Sequence, residues 1–239
     1  MNNSTDVLKR LQGGLVVSCQ AWQDTPLFDP IFMRAMAESA LQGGAKGIRA
    51  NGAADIRAIK ATVPLPVIGI NKAIDKHGVK VITPTLEAAR EVVDAGSEIV
   101  AVECTAKAWP DRGELRDLLQ AIASELKVPV MADISTLAEA ELAMTLGATF
   151  VATTCAGNTP ESEHRKLEDV PDLQLISELK DALGDVPVLA EGRFWEPRHA
   201  VEALERGAHC VCIGTAITAP WSITQRFVKA IAAALPDAW

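Results

Sequence analysis

Residues 44–72 read GAKGIRANGAADIRAIKATVPLPVIGINK. Two short apolar runs, 47–49 and 67–70, lie in this stretch, with a segment between them long enough for a helix. Gly44-Ala45 introduces the first run and Leu65-Pro66-Val67 the second. Glycine before a strand supplies a left-handed helix stop, and proline gives the strand a stiff first residue.

The same punctuation recurs outward in both directions. Gly96-Ser97, Gly147-Ala148 and Gly207-Ala208 introduce runs at 99–102, 150–152 and 210–213. Val128-Pro129-Val130 and Val186-Pro187-Val188 introduce 128–131 and 186–189, and an opening run covers 15–19. Each is strand length, rich in Val and Ile, and often apolar at successive positions, the pattern of strands covered on both faces in a parallel sheet. A two-strand, two-helix unit used four times predicts a closed (β/α)8 barrel, a TIM barrel, as one domain over residues 1–239. The rival, a doubly wound open sheet, rarely needs so many regular units.

Helix signals fill the gaps. Asp29-Pro30 caps a helix bearing Ile31, Met33, Met36, Ala37 and Leu41, stopped by Gly43-Gly44. Thr136 with Glu139 forms a capping box for a helix that ends at Gly147. Pro197 opens a helix with Val201 and Leu204 on one face. Pro220 opens the last, with Ile223, Phe227 and Ile231 at i, i+4 and i+8.

Composition narrows the function classes. With 49% apolar and 23% charged residues the chain is ordinary globular material. Its net charge of −8 argues against nucleic acid or an anionic membrane as partner, though a local anion pocket stays open. Five scattered cysteines without a CxxC pair argue against a disulfide framework or a zinc knuckle, and Cys210 and Cys212 read as core residues on one strand face. No signal-peptide pattern and no apolar run of about 20 residues is visible, so the expectation is a soluble, cytoplasmic protein. Trp109, Trp221 and Trp239 are expected to be exposed and to mark a contact surface, which leaves a homo-oligomer open.

In such a barrel the active site lies at the C-terminal ends of the strands. The residues closing the runs are Gln20, Arg49, Lys72, Glu103, Asp133, Thr153 with Thr154, Glu191 and Gly214. Lys72 is either a solvated strand-end lysine or an amine in a dry barrel mouth beside Arg49, its pKa lowered so that it serves as base or Schiff-base nucleophile. Glu191 either pairs with Arg193 or faces Lys72 across the barrel as the second acid/base. Asp133 either orients neighbours or holds a substrate hydroxyl. His199 and His209 are read as packing or surface residues, and no His/carboxylate cluster has metal spacing, so neither metal nor cofactor is expected. Gly192, Gly214 and Thr215 place backbone N–H groups after the last two strands, the usual phosphate cradle of barrel enzymes.

At these residues the chain resembles the N-acetylmannosamine-6-phosphate 2-epimerase family of ribulose-phosphate-binding barrels. The matching stretches are 14–20 (GLVVSCQ), 47–52 (GIRANG), 66–72 (PVIGINK), 82–85 (ITPT), 131–136 (MADIST), 190–193 (AEGR) and 214–218 (GTAIT). They run in order over essentially the whole chain. The resemblance implies an isomerase that interconverts N-acetylmannosamine 6-phosphate and N-acetylglucosamine 6-phosphate in sialic acid breakdown, without metal or nucleotide. It implies Lys72 as the base at C2 of the ring-opened sugar and Glu191 as its acid/base partner. Gln20, Arg49, Asp133 and Arg193 would be substrate contacts, and Gly192, Gly214 and Thr215 would meet the phosphate; Thr153, from its place at a strand end, is a further expected substrate contact. Arg49 or a protonated Glu191 would stabilise the enolate oxygen.

The chain also departs from the family pattern. Lys72-Ala73 stands where the family usually has Lys-Arg, and Thr218-Ala219 where it has Thr-Arg, the arginine expected at the phosphate. The loop 103–109 has lost its basic pattern, and Ala156-Gly157-Asn158-Thr159 stands for Ser-Gly-Tyr-Thr. Either Arg226, Lys107 or Arg193 compensates, or the substrate is not the usual 6-phosphate. The alternatives are a related barrel epimerase or Lys-dependent aldolase acting on a different sugar, or a catalytically idle sugar-binding barrel.

Overall fold

The computed structural model describes residues 3–74, 78–167 and 170–235. The strands are β1 (Leu15–Cys19), β2 (Gly47–Asn51), β3 (Val67–Ile70), β4 (Lys72–Ile74), β5 (Lys80–Ile82), β6 (Ile99–Glu103), β7 (Val130–Asp133), β8 (Phe150–Ala152), β9 (Val188–Glu191) and β10 (Cys210–Ile213). The helices are α1 (Asn3–Leu11), α2 (Pro30–Gln42), α3 (Ala53–Lys60), α4 (Leu86–Asp94), α5 (Arg112–Ala121), α6 (Leu137–Leu146), α7 (Leu173–Leu183), α8 (Pro197–Glu205), α9 (Thr215–Thr218) and α10 (Pro220–Ala234). Eight strands pair in the order β1-β10-β9-β8-β7-β6-β3-β2 and close on themselves, all parallel. This is the (β/α)8 barrel that the punctuation predicts. The remaining pair, β4 and β5, forms a small antiparallel hairpin that the apolar runs did not disclose.

The punctuation works as chemistry requires. Gly44, Gly96, Gly147 and Gly207 all sit at left-handed φ, between +90° and +115°, where a side chain would be strained. Pro66, Pro129 and Pro187 stand one residue before their strands, and their carbonyls accept the first ladder bonds from Ile48, Val100 and Val151. Strands five and seven of the barrel therefore begin at Val130 and Val188, two residues later than expected, because proline has no N–H to donate. Their other ends shift correspondingly, so Asp133 and Glu191 are the last residues of their strands.

Alternation sorts each strand into an inner and an outer face. Val16, Ile68, Ile70, Ile99, Ala101, Met131, Phe150, Leu189, Cys210 and Cys212 fill the barrel interior. Val17, Ile48, Val67, Val100, Val130 and Val151 point outward into a larger core with Met33, Ile56, Val92, Leu115 and Leu175 from the helices. Helix α1 supplies Val7 and Leu11 to the interior cluster, and the Leu8 carbonyl lies 2.8 Å from His209 Nε2, so this helix closes the end of the barrel away from the strand tips.

Caps explain where the helices start. Asp29 accepts from Ile31 N ahead of Pro30, and Thr136 and Glu139 form the reciprocal capping box. Three expectations are corrected. Val201 is exposed, and α8 instead buries His199 and Ala203. Phe227 and Ile231 of α10 are also exposed, so that apolar stripe does not pack on the barrel. Trp109 is buried, its indole N–H donating to the Glu103 carbonyl at 2.6 Å, because the segment after β6 folds back over the strand end. Trp221 is exposed as expected, and Trp239 lies outside the described residues.

Candidate active site

A cavity of about 620 Å³ opens at the C-terminal ends of the strands. One wall comes from β1 and the loop after it, through Ser18, Gln20 and Trp22; another comes from the hairpin, through Lys72 and Lys80. Glu191, Gly192 and Arg193 face it from the end of β9, and Cys212, Gly214 and Thr215 from β10 and the turn beyond. Ser18 continues the inner face of β1 from Val16, and the loop that follows the strand brings Gln20 and Trp22 to the same cavity. A Cβ on Gly214 would stand 3.1 Å from Ser18 Cβ, so glycine lets β1 and β10 approach closely beneath the mouth.

Beneath the cavity lies a buried charge cluster. Arg49 is 1% exposed and Asp133 is 0% exposed, with the guanidinium Nη2 donating to Asp133 Oδ2 at 2.5 Å and Nη1 to Oδ1 at 3.2 Å. The same Nη1 donates to Glu191 Oε2 and, at 3.0 Å, to Thr154 Oγ1, which itself donates to Asp133 Oδ1 at 2.5 Å. One guanidinium thus holds two carboxylates. A charge taken out of water is tolerated only when paired and hydrogen-bonded in this way. Burial still pushes the Asp133 carboxyl up to about 6, against the pull of Arg49. The two carboxylates hold Arg49 firmly charged.

Lys72 stands apart from that cluster. Its ammonium donates to Gln20 Oε1 at 2.7 Å and lies 5.2 Å from the centroid of the Trp22 ring, and its backbone N–H donates to Asn51 Oδ1 at 3.0 Å. Burial, then the nearby Arg49 charge, lowers its pKa to about 8; Glu191 pulls the other way, and Lys80 pushes it down further. Roughly a tenth of such amines are neutral at pH 7. Lys72 is half-buried on the cavity wall, and it begins the hairpin β4–β5 instead of merely ending β3.

The other expected contacts divide. Lys72, Glu191, Gln20, Gly192, Gly214, Thr215 and Arg193 all line the cavity. Arg49 and Asp133 are not among the residues that line it; they lie beneath, where Arg49 pairs with both Asp133 and Glu191. Glu191 pairs with Arg49 and not with Arg193. Thr153 is buried, exchanging hydrogen bonds of 2.9 Å with the backbone carbonyl and N–H of Glu191. Its neighbour Thr154 is the one in the charge cluster: the chain leaves β8 at Ala152 and turns through a 3-10 turn over Thr153–Cys155, which aims Thr154 at Arg49 and Asp133. Arg193 sits at φ +59°, and its guanidinium donates to the carbonyls of Ala156 and Val170, so it clamps the loops behind the site. Of the cations named as stand-ins at the phosphate, Lys107 is exposed and away from the walls. Arg226 stacks 4.7 Å from the centroid of Trp195, which lines the cavity.

Comparison with known proteins places this geometry. A family model described as "NanE: Putative N-acetylmannosamine-6-phosphate epimerase" matches residues 33–233. A Caldanaerobacter subterraneus protein named "Putative N-acetylmannosamine-6-phosphate 2-epimerase" is 45% identical over 227 residues, covering 95% of this chain and 94% of its own. A Listeria monocytogenes protein of the same name is 41% identical over 234 residues, covering 97% and 99%. The solved structure of the N-acetylmannosamine-6-phosphate 2-epimerase from Clostridium perfringens is 37% identical and superposes with a TM-score of 0.83, over 93% of this chain and 95% of that one. The chain belongs to the N-acetylmannosamine-6-phosphate epimerase family.

Proposed function

We propose that the protein is an isomerase that interconverts N-acetylmannosamine 6-phosphate and N-acetylglucosamine 6-phosphate by removing and returning the proton at C2 of the ring-opened sugar. The observation that carries this reading is that Lys72 and Glu191 line one cavity from opposite sides of the barrel. Proton loss from C2 leaves a planar enolate with its charge on the former C1 carbonyl oxygen. Inversion requires the proton to return to the opposite face. Lys72, with part of its amine neutral near pH 7, removes the proton from one face. Glu191, fixed by Arg49 and Thr154, exchanges it on the other. Arg49 acts through Glu191 in this scheme and does not touch the enolate.

The phosphate belongs at the turn after β10, where Gly214 and Thr215 line the cavity near Ala219, with the Arg226–Trp195 stack on the adjoining wall. Holding a remote anion keeps C2 in register for the reaction. We place the enzyme in the cytoplasm as one domain over residues 1–239. The exposed stripe of Phe227, Ile231 and Leu235 supports a homo-oligomer, which sedimentation would test. Among the described residues no helix is long and apolar enough to cross a membrane.

Nuclear magnetic resonance in D₂O tests the reaction directly. Deuterium is expected to enter C2 of N-acetylmannosamine 6-phosphate and to appear in both epimers. No wash-in at saturating enzyme would reject this substrate. The lowered Lys72 pKa also suits a Schiff-base aldolase, and borohydride trapping of a covalent adduct on Lys72 would favour that reading instead.

A further inference from the structure

The hairpin β4–β5 carries a second lysine that the reaction scheme does not use. Lys72 pairs with Ile82 and Lys80 with Ile74, so the two lysines are diagonal neighbours on one face of the hairpin. Their ammonium groups lie 5.2 and 4.9 Å from the centroid of the same Trp22 ring, and both side chains line the cavity. The pair is asymmetric: Lys80 is exposed, whereas Lys72 is half-buried. An indole ring attracts a cation but does not neutralise two.

We propose that Lys80 is a positioning residue that acts through Lys72, a rim cation that favours the neutral, proton-accepting form of the base amine. This rests on the reading of Lys72 as the base. The groups facing Lys72 from each surrounding element are Gln20 and Trp22 after β1, Arg49 on β2, Asp133 on β7, Glu191 on β9 and Lys80 on β5. Asp133 and Glu191 share Arg49, so their pull on the ammonium is partly spent on the guanidinium between them. Lys80 is the one further cation in this set, and like charges on a common platform favour loss of a proton from the more buried one. Burial lowers the pKa of Lys72 first and Lys80 adds to it in the same direction.

The test compares Lys80→Met and Lys80→Arg with the parent protein in two ways. The first is the pH dependence of kcat/KM for the 6-phosphate sugar. The second is the pH dependence of Lys72 carbamylation by cyanate, followed by peptide mass spectrometry without any turnover. Lys80→Met is expected to raise the Lys72 titration and the acid limb of the rate profile together, by about 0.3–0.5 of a pH unit at low salt. At pH 6.5 the rate then falls about 2- to 3-fold. Lys80→Arg keeps the charge and is expected to overlay the parent, and roughly 0.5 M salt should remove most of the shift by screening. An unmoved Lys72 titration in Lys80→Met overturns the proposal, as does an equal shift in Lys80→Arg. A moved titration with an unmoved rate profile supports the tuning and instead removes Lys72 as the base.

Discussion

Lys72 and Glu191 face one cavity from strands half a circuit apart. β3, which leads into Lys72, and β9, which ends in Glu191, are separated by four steps either way round the ring β1-β10-β9-β8-β7-β6-β3-β2. In the proposed reaction a planar intermediate held between them would present one face to the amine and the other to the carboxylate, the arrangement that inversion at carbon needs. The cluster beneath fixes only one of these groups. Glu191 is held by Arg49 and Thr154, while Lys72 is held by the loop after β1.

The rate profile should report the lysine. Its pKa is lowered to about 8, so the neutral amine is depleted as pH falls through that value. The expected kcat/KM declines about tenfold per unit well below pH 8 and levels off above it. Lys72→Met should lower kcat by about 10²–10⁴ or more while circular dichroism stays unchanged. A variant with near-parental turnover would remove Lys72 from the reaction.

Replacing Glu191 with Gln separates the two faces. The amide keeps the shape but cannot accept the proton. Deuterium should still wash into C2 of whichever epimer presents its proton to Lys72, while conversion to the other epimer falls by about 10²-fold or more. If exchange and inversion fell in parallel for both sugars, Lys72 would not act on a face of its own.

Asp133 tests the buried cluster. Asp133→Ala leaves the Arg49 charge with Glu191 as its remaining carboxylate partner. Breaking such a buried pair costs about 3–5 kcal/mol, and the surviving Glu191 bond should keep the loss near the lower bound. Urea unfolding reads this directly. A change under about 1 kcal/mol would mean that the pair contributes specificity of geometry and little stability.

Ala219 lines the cavity beside Thr218 and Trp221. Ala219→Arg introduces a charge-assisted donor worth about 1.5–3 kcal/mol to a phosphate in reach. The expected result is a 10- to 100-fold lower KM for the 6-phosphate sugar, with the unphosphorylated sugar unaffected. An equal gain for both sugars would show that the phosphate lies elsewhere.

The sequence by itself determined the barrel and several residues of the cavity wall. Gly44, Gly96, Gly147 and Gly207 at helix stops, and Pro66, Pro129 and Pro187 ahead of strands, act through local backbone preferences, so they are legible without any partner. Strand ends that turn polar locate Lys72, Glu191 and Gln20 for the same local reason. What lies one step further depends on which side chains the closed ring brings together. The choice of Thr154 over Thr153 is made by the 3-10 turn after β8, and Trp22 is placed by the loop after β1, whereas Cys212 could have been found by following the inner face of β10 from Cys210. The pairing of Arg49 with Asp133, 84 residues away, and with Glu191, 142 residues away, carries no local signal at all. Nor does the meeting of Lys72 and Lys80 over Trp22, which needs both a hairpin and the loop from a different strand. Those contacts exist because the barrel closes, and closure is a property of all eight strands at once.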